Sequence, residues 1–141
     1  MRKLFAVLML CALPSCQALE PVEVIPPPLT NFEFVCEQMN NINVEWTCEG
    51  LEPPVIVMTS LVYWLRPSSC GAYVPGERYV FVDPDPHPLC SGARITTLHE
   101  ITHYVFFANG MKDRCKSEEI ARFVAGQPGE WRQRYGCVKG K

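Results

Sequence analysis

Ala93-Arg94-Ile95-Thr96-Thr97-Leu98-His99-Glu100-Ile101-Thr102-His103-Tyr104-Val105-Phe106-Phe107-Ala108, closed by Asn109-Gly110, is the stretch that decides how this chain folds. No proline or glycine interrupts residues 93–108. Ile95, Leu98, Ile101, Val105 and Ala108 recur at helical spacing, which predicts a helix with these five facing a core. Ser91 is the candidate N-cap. Asn109-Gly110 is the stop, because both residues tolerate the left-handed conformation that ends helices. Inside the helix lies the pentapeptide H-E-x-x-H, with His99, Glu100 and His103 at its fixed positions. Four residues apart, the two imidazoles leave one helix face about one turn apart. That spacing suits two nitrogen ligands of a single Zn²⁺, with Glu100 placed to take a proton from a water the metal activates. The plainer alternative is a pair of incidental histidines on an amphipathic helix, although two of only three histidines in the chain fall in this pattern.

A catalytic zinc needs a third protein ligand and an open fourth position. The metzincin pattern would place Gly and His three and six residues after the second histidine. Those positions hold Phe106 and Asn109, which excludes that class. Downstream, Asp113, Glu118, Glu119 and Glu130 remain as candidates. Residues 117–126 read as a second short helix, with Ser117 as N-cap, Glu118 and Glu119 in the first turn where the helix dipole favours acids, and Ile120, Phe123 and Val124 as its apolar face. Ordinary helix-terminal charge would account for either glutamate. A carboxylate from a following helix is also what the zinc site lacks.

These residues resemble the gluzincin metallopeptidases, whose zinc is held by the two histidines of H-E-x-x-H and a glutamate from a downstream helix. That helix often reads E-x-x-A and then a polar residue; Glu118-Glu119-Ile120-Ala121-Arg122 fits, which implies Glu118 as the ligand. Thr96, the uncharged Ile101 and Thr102, and the hydrophobic Val105 fit the flanks of the first motif. Gly71-Ala72-Tyr73-Val74-Pro75-Gly76-Glu77-Arg78-Tyr79-Val80-Phe81-Val82 is similar to the hairpin and edge strand that precede the active-site helix in small gluzincins, the minigluzincins and IrrE-like proteins. The resemblance covers residues 70–126, about 40% of the chain. Its many cysteines and export signal depart from the cytoplasmic members, and the first third of the chain matches none of them.

Met1-Arg2-Lys3, an apolar run over 4–13 and a small, polar stretch form a secretory signal, too short to span a membrane, with cleavage expected after Ala18. Leu13-Pro14-Ser15-Cys16 offers a second reading, a lipobox cut after residue 15, with Cys16 lipidated and tethering the protein to a membrane. Either cut leaves eleven cationic side chains against fifteen acids, a net charge of −4, which argues against a nucleic-acid partner. It also leaves six cysteines for pairing, Cys36, Cys48, Cys70, Cys90, Cys115 and Cys137, since Cys16 is either removed or lipidated. An even number in an exported chain predicts three disulfides. Spacing suggests Cys36–Cys48, Cys70–Cys90 and Cys115–Cys137 out of fifteen possible connectivities. A structural metal on cysteines is the weaker alternative, since no C-x-x-C is present.

Residues 19–31, with Pro21 and Pro26-Pro27-Pro28, read as an extended linker, and 32–141 as one domain. Phe32–Val35 and Val44–Thr47 read as a hairpin about Met39-Asn40-Asn41. Val55–Leu65 reads as a buried strand or a buried helix, Arg78–Val82 as a strand, and Gly129–Gly136 as a last helical turn or two. His87, in the proline-rich loop 83–88, is a surface residue, a metal ligand or a substrate contact. The expected fold is a small α+β, zincin-like domain: a short twisted sheet packed on the H-E-x-x-H helix, a glutamate helix across it, and disulfide staples. The expected activity is zinc-dependent endopeptidase cleavage outside the cytoplasm, on a peptide or protein substrate, by a monomer. Tyr73, Tyr79, Tyr104, His87 and Arg122 are candidate oxyanion or substrate contacts, and the Arg78–Val82 strand is a candidate for pairing with extended substrate. The competing expectation is a non-catalytic zinc-binding, structural or inhibitory module. A latent enzyme whose fourth zinc position is filled by the C-terminal tail or a thiol is a third.

Overall fold

The structure is a computed structural model and describes residues 29–42, 45–62, 69–84, 90–127 and 136–137. Its elements are α1 (Asn31–Asn41), β1 (Val55–Met58), β2 (Gly71–Tyr73), β3 (Tyr79–Val82), α2 (Ala93–Ala108) and α3 (Arg114–Val124). Together they make a small α+β fold, with α2 at its centre touching α1, α3, β2 and β3.

The first strand and turn of the predicted hairpin lie in α1, and residues 45–47 of its second strand form no strand. Thr30 and Glu33 form a reciprocal capping box: the Glu33 N–H donates to Thr30 Oγ1 at 3.2 Å, and the Thr30 N–H donates to Glu33 Oε2 at 2.8 Å. Val35 and Met39, four apart, turn one face of α1 into the core. Phe32, Phe34 and Val35 carry strand propensity, but the cap and the i, i+4 pair outweigh it. Thr30 and Asn31, assigned to the linker, cap and open this helix. The signal segment, Cys16 and the proline run lie outside the described residues.

The sheet has the order β1-β3-β2, with β1 parallel and β2 antiparallel to β3. Val55 pairs with Tyr79, and Gly71 with Val82. β3 is therefore the central strand, which corrects the expectation that Arg78–Val82 is a rim open to substrate: its ladder is occupied on both sides. Alternation sends Val80 and Val82 into the core and Tyr79 and Phe81 to the opposite face. β1 is a four-residue edge strand, with Val55 and Met58 exposed, rather than one long buried strand.

α2 has the predicted limits. Its end is a Schellman motif: Gly110 at φ 76° donates to Phe107 O at 2.9 Å and Met111 to Phe106 O at 3.3 Å. Gly92, not Ser91, occupies the N-cap, and no side chain caps there. Leu98, Ile101 and Val105 are buried as expected, but Ala108 is exposed, because it lies past the core in the final turn. Burial extends well round the helix, to Thr96, Thr97, Glu100, Thr102, Tyr104 and Phe106. Thr97 and Thr102 satisfy their hydroxyls on the carbonyls four residues back, each at 2.8 Å.

α3 begins earlier than predicted. The Asp113 carboxylate accepts from the N–H groups of Cys115 and Lys116, both at 3.0 Å, and is the N-cap. Ser117, Glu118 and Glu119 consequently lie past the first turn, so neither the Ser117 cap nor the dipole argument for the two acids holds. Phe123, assigned to the apolar face, is 64% exposed; Val124 is buried as expected, and Ala121 is buried with it.

Cys36–Cys48, Cys70–Cys90 and Cys115–Cys137 are bonded. Closing loops of these lengths stabilises the fold by about 3 kcal/mol each in the chain-entropy account. Cys70–Cys90 ties the residue before β2 to the entry of α2. Three disulfides fit an oxidising compartment outside the cytoplasm. Among the described residues no helix is long and apolar enough to cross a membrane.

Candidate metal centre

His99 and His103 project from adjacent turns of α2 toward α3, where Glu118 meets them. The two Nε2 atoms are 3.1 Å apart. Glu118 Oε2 lies 3.4 Å from His99 Nε2 and 3.3 Å from His103 Nε2. All three side chains are largely enclosed, with relative exposures of 12%, 15% and 7%. Among the described residues this is the one group of histidine, cysteine and acidic side chains able to hold a metal ion.

Each imidazole is anchored through its other nitrogen. His99 Nδ1–H donates to Gln127 Oε1 at 2.7 Å, which fixes the tautomer and leaves the Nε2 lone pair facing inward. His103 Nδ1 shares a 2.6 Å hydrogen bond with the fully buried Ser117 hydroxyl. Gln127 is held by the way α3 ends. Gly126 takes a left-handed turn (φ 65°), and the Gln127 N–H then bonds Arg122 O at 2.8 Å in a second Schellman motif. The Gln127 amide also donates to Ser91 Oγ at 3.4 Å, which is the role Ser91 has in place of capping. On the far side of the carboxylate, the Arg122 Nε–H donates to Glu118 Oε1 at 2.9 Å.

Two nitrogen lone pairs and a carboxylate oxygen converging at these distances require a shared proton or a cation between them. The ionisation behaviour follows. Burial alone depresses the His99 pKa, but the Glu118 hydrogen bond, the charges of Glu100 and Glu118 and the Gln127 bond outweigh it, so it is raised. Burial pushes Glu118 up, and the hydrogen bonds and charges of His103 and His99 more than reverse this, holding it well below the usual carboxylate range.

Of the other carboxylates, Asp113 is committed to its cap, Glu119 is exposed, and Glu130 lies outside the described residues. Glu100 is buried where β2 packs against α2: a Cβ built on Gly71 would stand 2.8 Å from Glu100 Cγ and 2.6 Å from Thr96 Cγ2.

The proposed oxyanion contacts disperse. Tyr104 donates its hydroxyl to Glu52 O at 2.7 Å. The Tyr73 hydroxyl accepts from the Gly76 N–H at 3.3 Å; its ring stacks on Phe107, its burial raises its pKa, and it meets Tyr104 edge-on. Both tyrosines belong to the core cluster. Tyr79 is half-exposed beside Phe81. His87 lies outside the described residues. Arg122 is the candidate that reaches the metal-ligand group, through Glu118.

Sequence reasoning missed Gln127, Ser117 as an imidazole partner, and Gly71. Gly126 was the available signal for Gln127, since a helix-ending glycine turns the next residue back toward the helix. Comparison with family models, curated proteins and solved structures finds no match to the chain.

Proposed function

We propose that this protein is a zinc-dependent endopeptidase of the gluzincin type that acts outside the cytoplasm. The observation that carries the reading is the triangle of His99 Nε2, His103 Nε2 and Glu118 Oε2, with edges of 3.1, 3.3 and 3.4 Å. Ligand atoms around a tetrahedral zinc with bonds of about 2.0–2.1 Å stand about 3.3–3.4 Å apart. Two imidazoles and one carboxylate also form a ligand set of catalytic rather than structural zinc sites, which are typically rich in cysteine. All six paired cysteines are consumed in disulfides, so none of them offers a thiol to the metal.

Zinc in this site supplies Lewis acidity toward a peptide carbonyl and lowers the pKa of water toward about 7. The rest is the work of the chain. Gln127 and Ser117 hold both imidazoles fixed in rotation, with each Nε2 turned toward Glu118. Glu100, adjacent to His99 on α2, accepts the proton of the attacking water as its oxygen bonds to the carbonyl carbon. It then returns that proton to the amide nitrogen as the carbon–nitrogen bond breaks, so the carboxylate is regenerated in each cycle.

The test is a pair of variants measured for zinc by mass spectrometry and for cleavage of a mixed peptide library, with and without chelator. Glu100→Gln is expected to keep about one zinc and to lose hydrolysis by about 10²-fold or more. His103→Ala is expected to lose the metal. A Glu100→Gln protein with wild-type activity refutes the catalytic assignment. A wild-type protein that holds zinc and cleaves nothing in the library supports the binding-module alternative instead.

A further inference from the structure

The two oxygens of Glu118 have different partners. Oε2 faces the histidine pair, at 3.4 and 3.3 Å, while Oε1 points away and accepts the Arg122 Nε–H at 2.9 Å. Arg122 is one helical turn beyond Glu118, the spacing at which side chains on α3 meet. Both are substantially enclosed, Arg122 at 21% and Glu118 at 7% exposure, so the contact is shielded from competing water. A carboxylate beside a cation with both oxygens available can bind through one or both. Two-oxygen binding raises the coordination number and takes up the position an attacking water or substrate needs.

We infer that Arg122 is a positioning residue that holds Glu118 in one-oxygen coordination and thereby keeps the fourth metal position open. The inference rests on the zinc reading of the site and adds to it a determinant of coordination number. The Nε–H bond engages one of the two lone pairs of Oε1 and restrains rotation of the carboxylate, which favours presentation of Oε2 to the histidine pair. Ser117 and Gln127 do the corresponding work for the imidazoles. Arg122 is therefore assigned to the metal's geometry rather than to the oxyanion, for which it was one of five candidates in the sequence.

Cobalt(II) reports coordination number directly, since four-coordinate ions absorb visible light far more strongly than five- or six-coordinate ones. The full chain with its disulfides intact is loaded with cobalt, and Arg122→Met and Arg122→Lys are compared with wild type. The wild type is expected to show an intense tetrahedral band that disappears in His103→Ala. Arg122→Met is expected to bind cobalt with much of that intensity lost, and Arg122→Lys, which can still donate one hydrogen bond to Oε1, to recover it. An unchanged band in Arg122→Met overturns the clamp while leaving the zinc site standing. A wild type that takes up no cobalt overturns both. Should Arg122→Met fail to fold, X-ray absorption on the zinc-loaded wild type decides: one carboxylate oxygen at bonding distance supports the clamp, and two refute it.

Discussion

Replacing Gly71 with alanine should uncouple the base from the metal. A methyl on residue 71 would stand 2.6 Å from Thr96 Cγ2, 2.8 Å from Glu100 Cγ and 3.0 Å from the Phe81 carbonyl oxygen. Carbon atoms pack at about 3.5–4.0 Å, so two of these contacts are short by about 1 Å. Thr96 is a buried, β-branched helical residue with little rotamer freedom, and Cys70–Cys90 tethers the strand immediately before residue 71. The strain is relieved mainly by β2 lifting from α2 and by Glu100 turning aside. Overpacking of this kind costs about 1–3 kcal/mol. In a domain of about 100 residues that lowers Tm by about 4–20 °C. A displacement near 1 Å at a catalytic group reduces turnover by about 10²-fold. His99, His103 and Glu118 are not among the three atoms nearest the methyl, so zinc content should stay near wild type. Thr96→Ser added to Gly71→Ala deletes the 2.6 Å contact and should recover part of the Tm while activity stays low, because the clash with Glu100 remains. The assays are thermal melting, bound zinc and peptide cleavage on the same preparations. Wild-type Tm and turnover in Gly71→Ala would refute the close approach as the device that places Glu100.

Other expectations follow from the same geometry. Glu118→Ala should lose most of its zinc whereas Glu119→Ala retains it; equal retention, read by mass spectrometry, rejects this ligand set. Ser117→Ala and Gln127→Ala should each weaken zinc binding by about 10–100-fold in a chelator competition, with the fold retained; unchanged affinity in both would remove them as imidazole anchors. In the metal-free chain, Glu118 is depressed below its ordinary value of 4.5, so its stabilisation is present above that pH and is lost as pH falls further. His99 is raised above 6.5, so its stabilisation is present below that pH and is lost as pH rises through the raised value. Tm after chelation should therefore be highest between about pH 4.5 and 6.5 and fall on both sides; a Tm that climbs steadily from pH 5 to 8 contradicts the coupling.

α2 was legible almost to the residue because it is long, lacks breakers and ends on Asn109-Gly110, a stop whose chemistry is local. Its N-cap was not, since Gly92 caps without a side chain. α1 was misread because Phe32, Phe34 and Val35 dominate a short window, while the informative signals were Thr30 paired with Glu33 and Val35 paired with Met39. β1 was misjudged because an apolar run implies burial only if something covers it. At the site, His99, Glu100 and His103 follow from spacing alone, and Glu118 needed the family resemblance. Ser117 and Gln127 depend on how α3 is capped at Asp113 and turned at Gly126, which places them against α2 in space. Gly71 was opaque in a stronger sense, because its contribution is the absence of a side chain at one contact between strand and helix.

Cys115 lies three residues before Glu118 on α3. Its bond to Cys137 closes a loop that contains Glu118, Arg122 and Gln127. One covalent link thus encloses the carboxylate of the histidine–glutamate group, the cation on its other oxygen and the amide that anchors His99. Opening that link is expected to loosen all three positions at once, which ties the geometry of the site to the oxidation state of its surroundings.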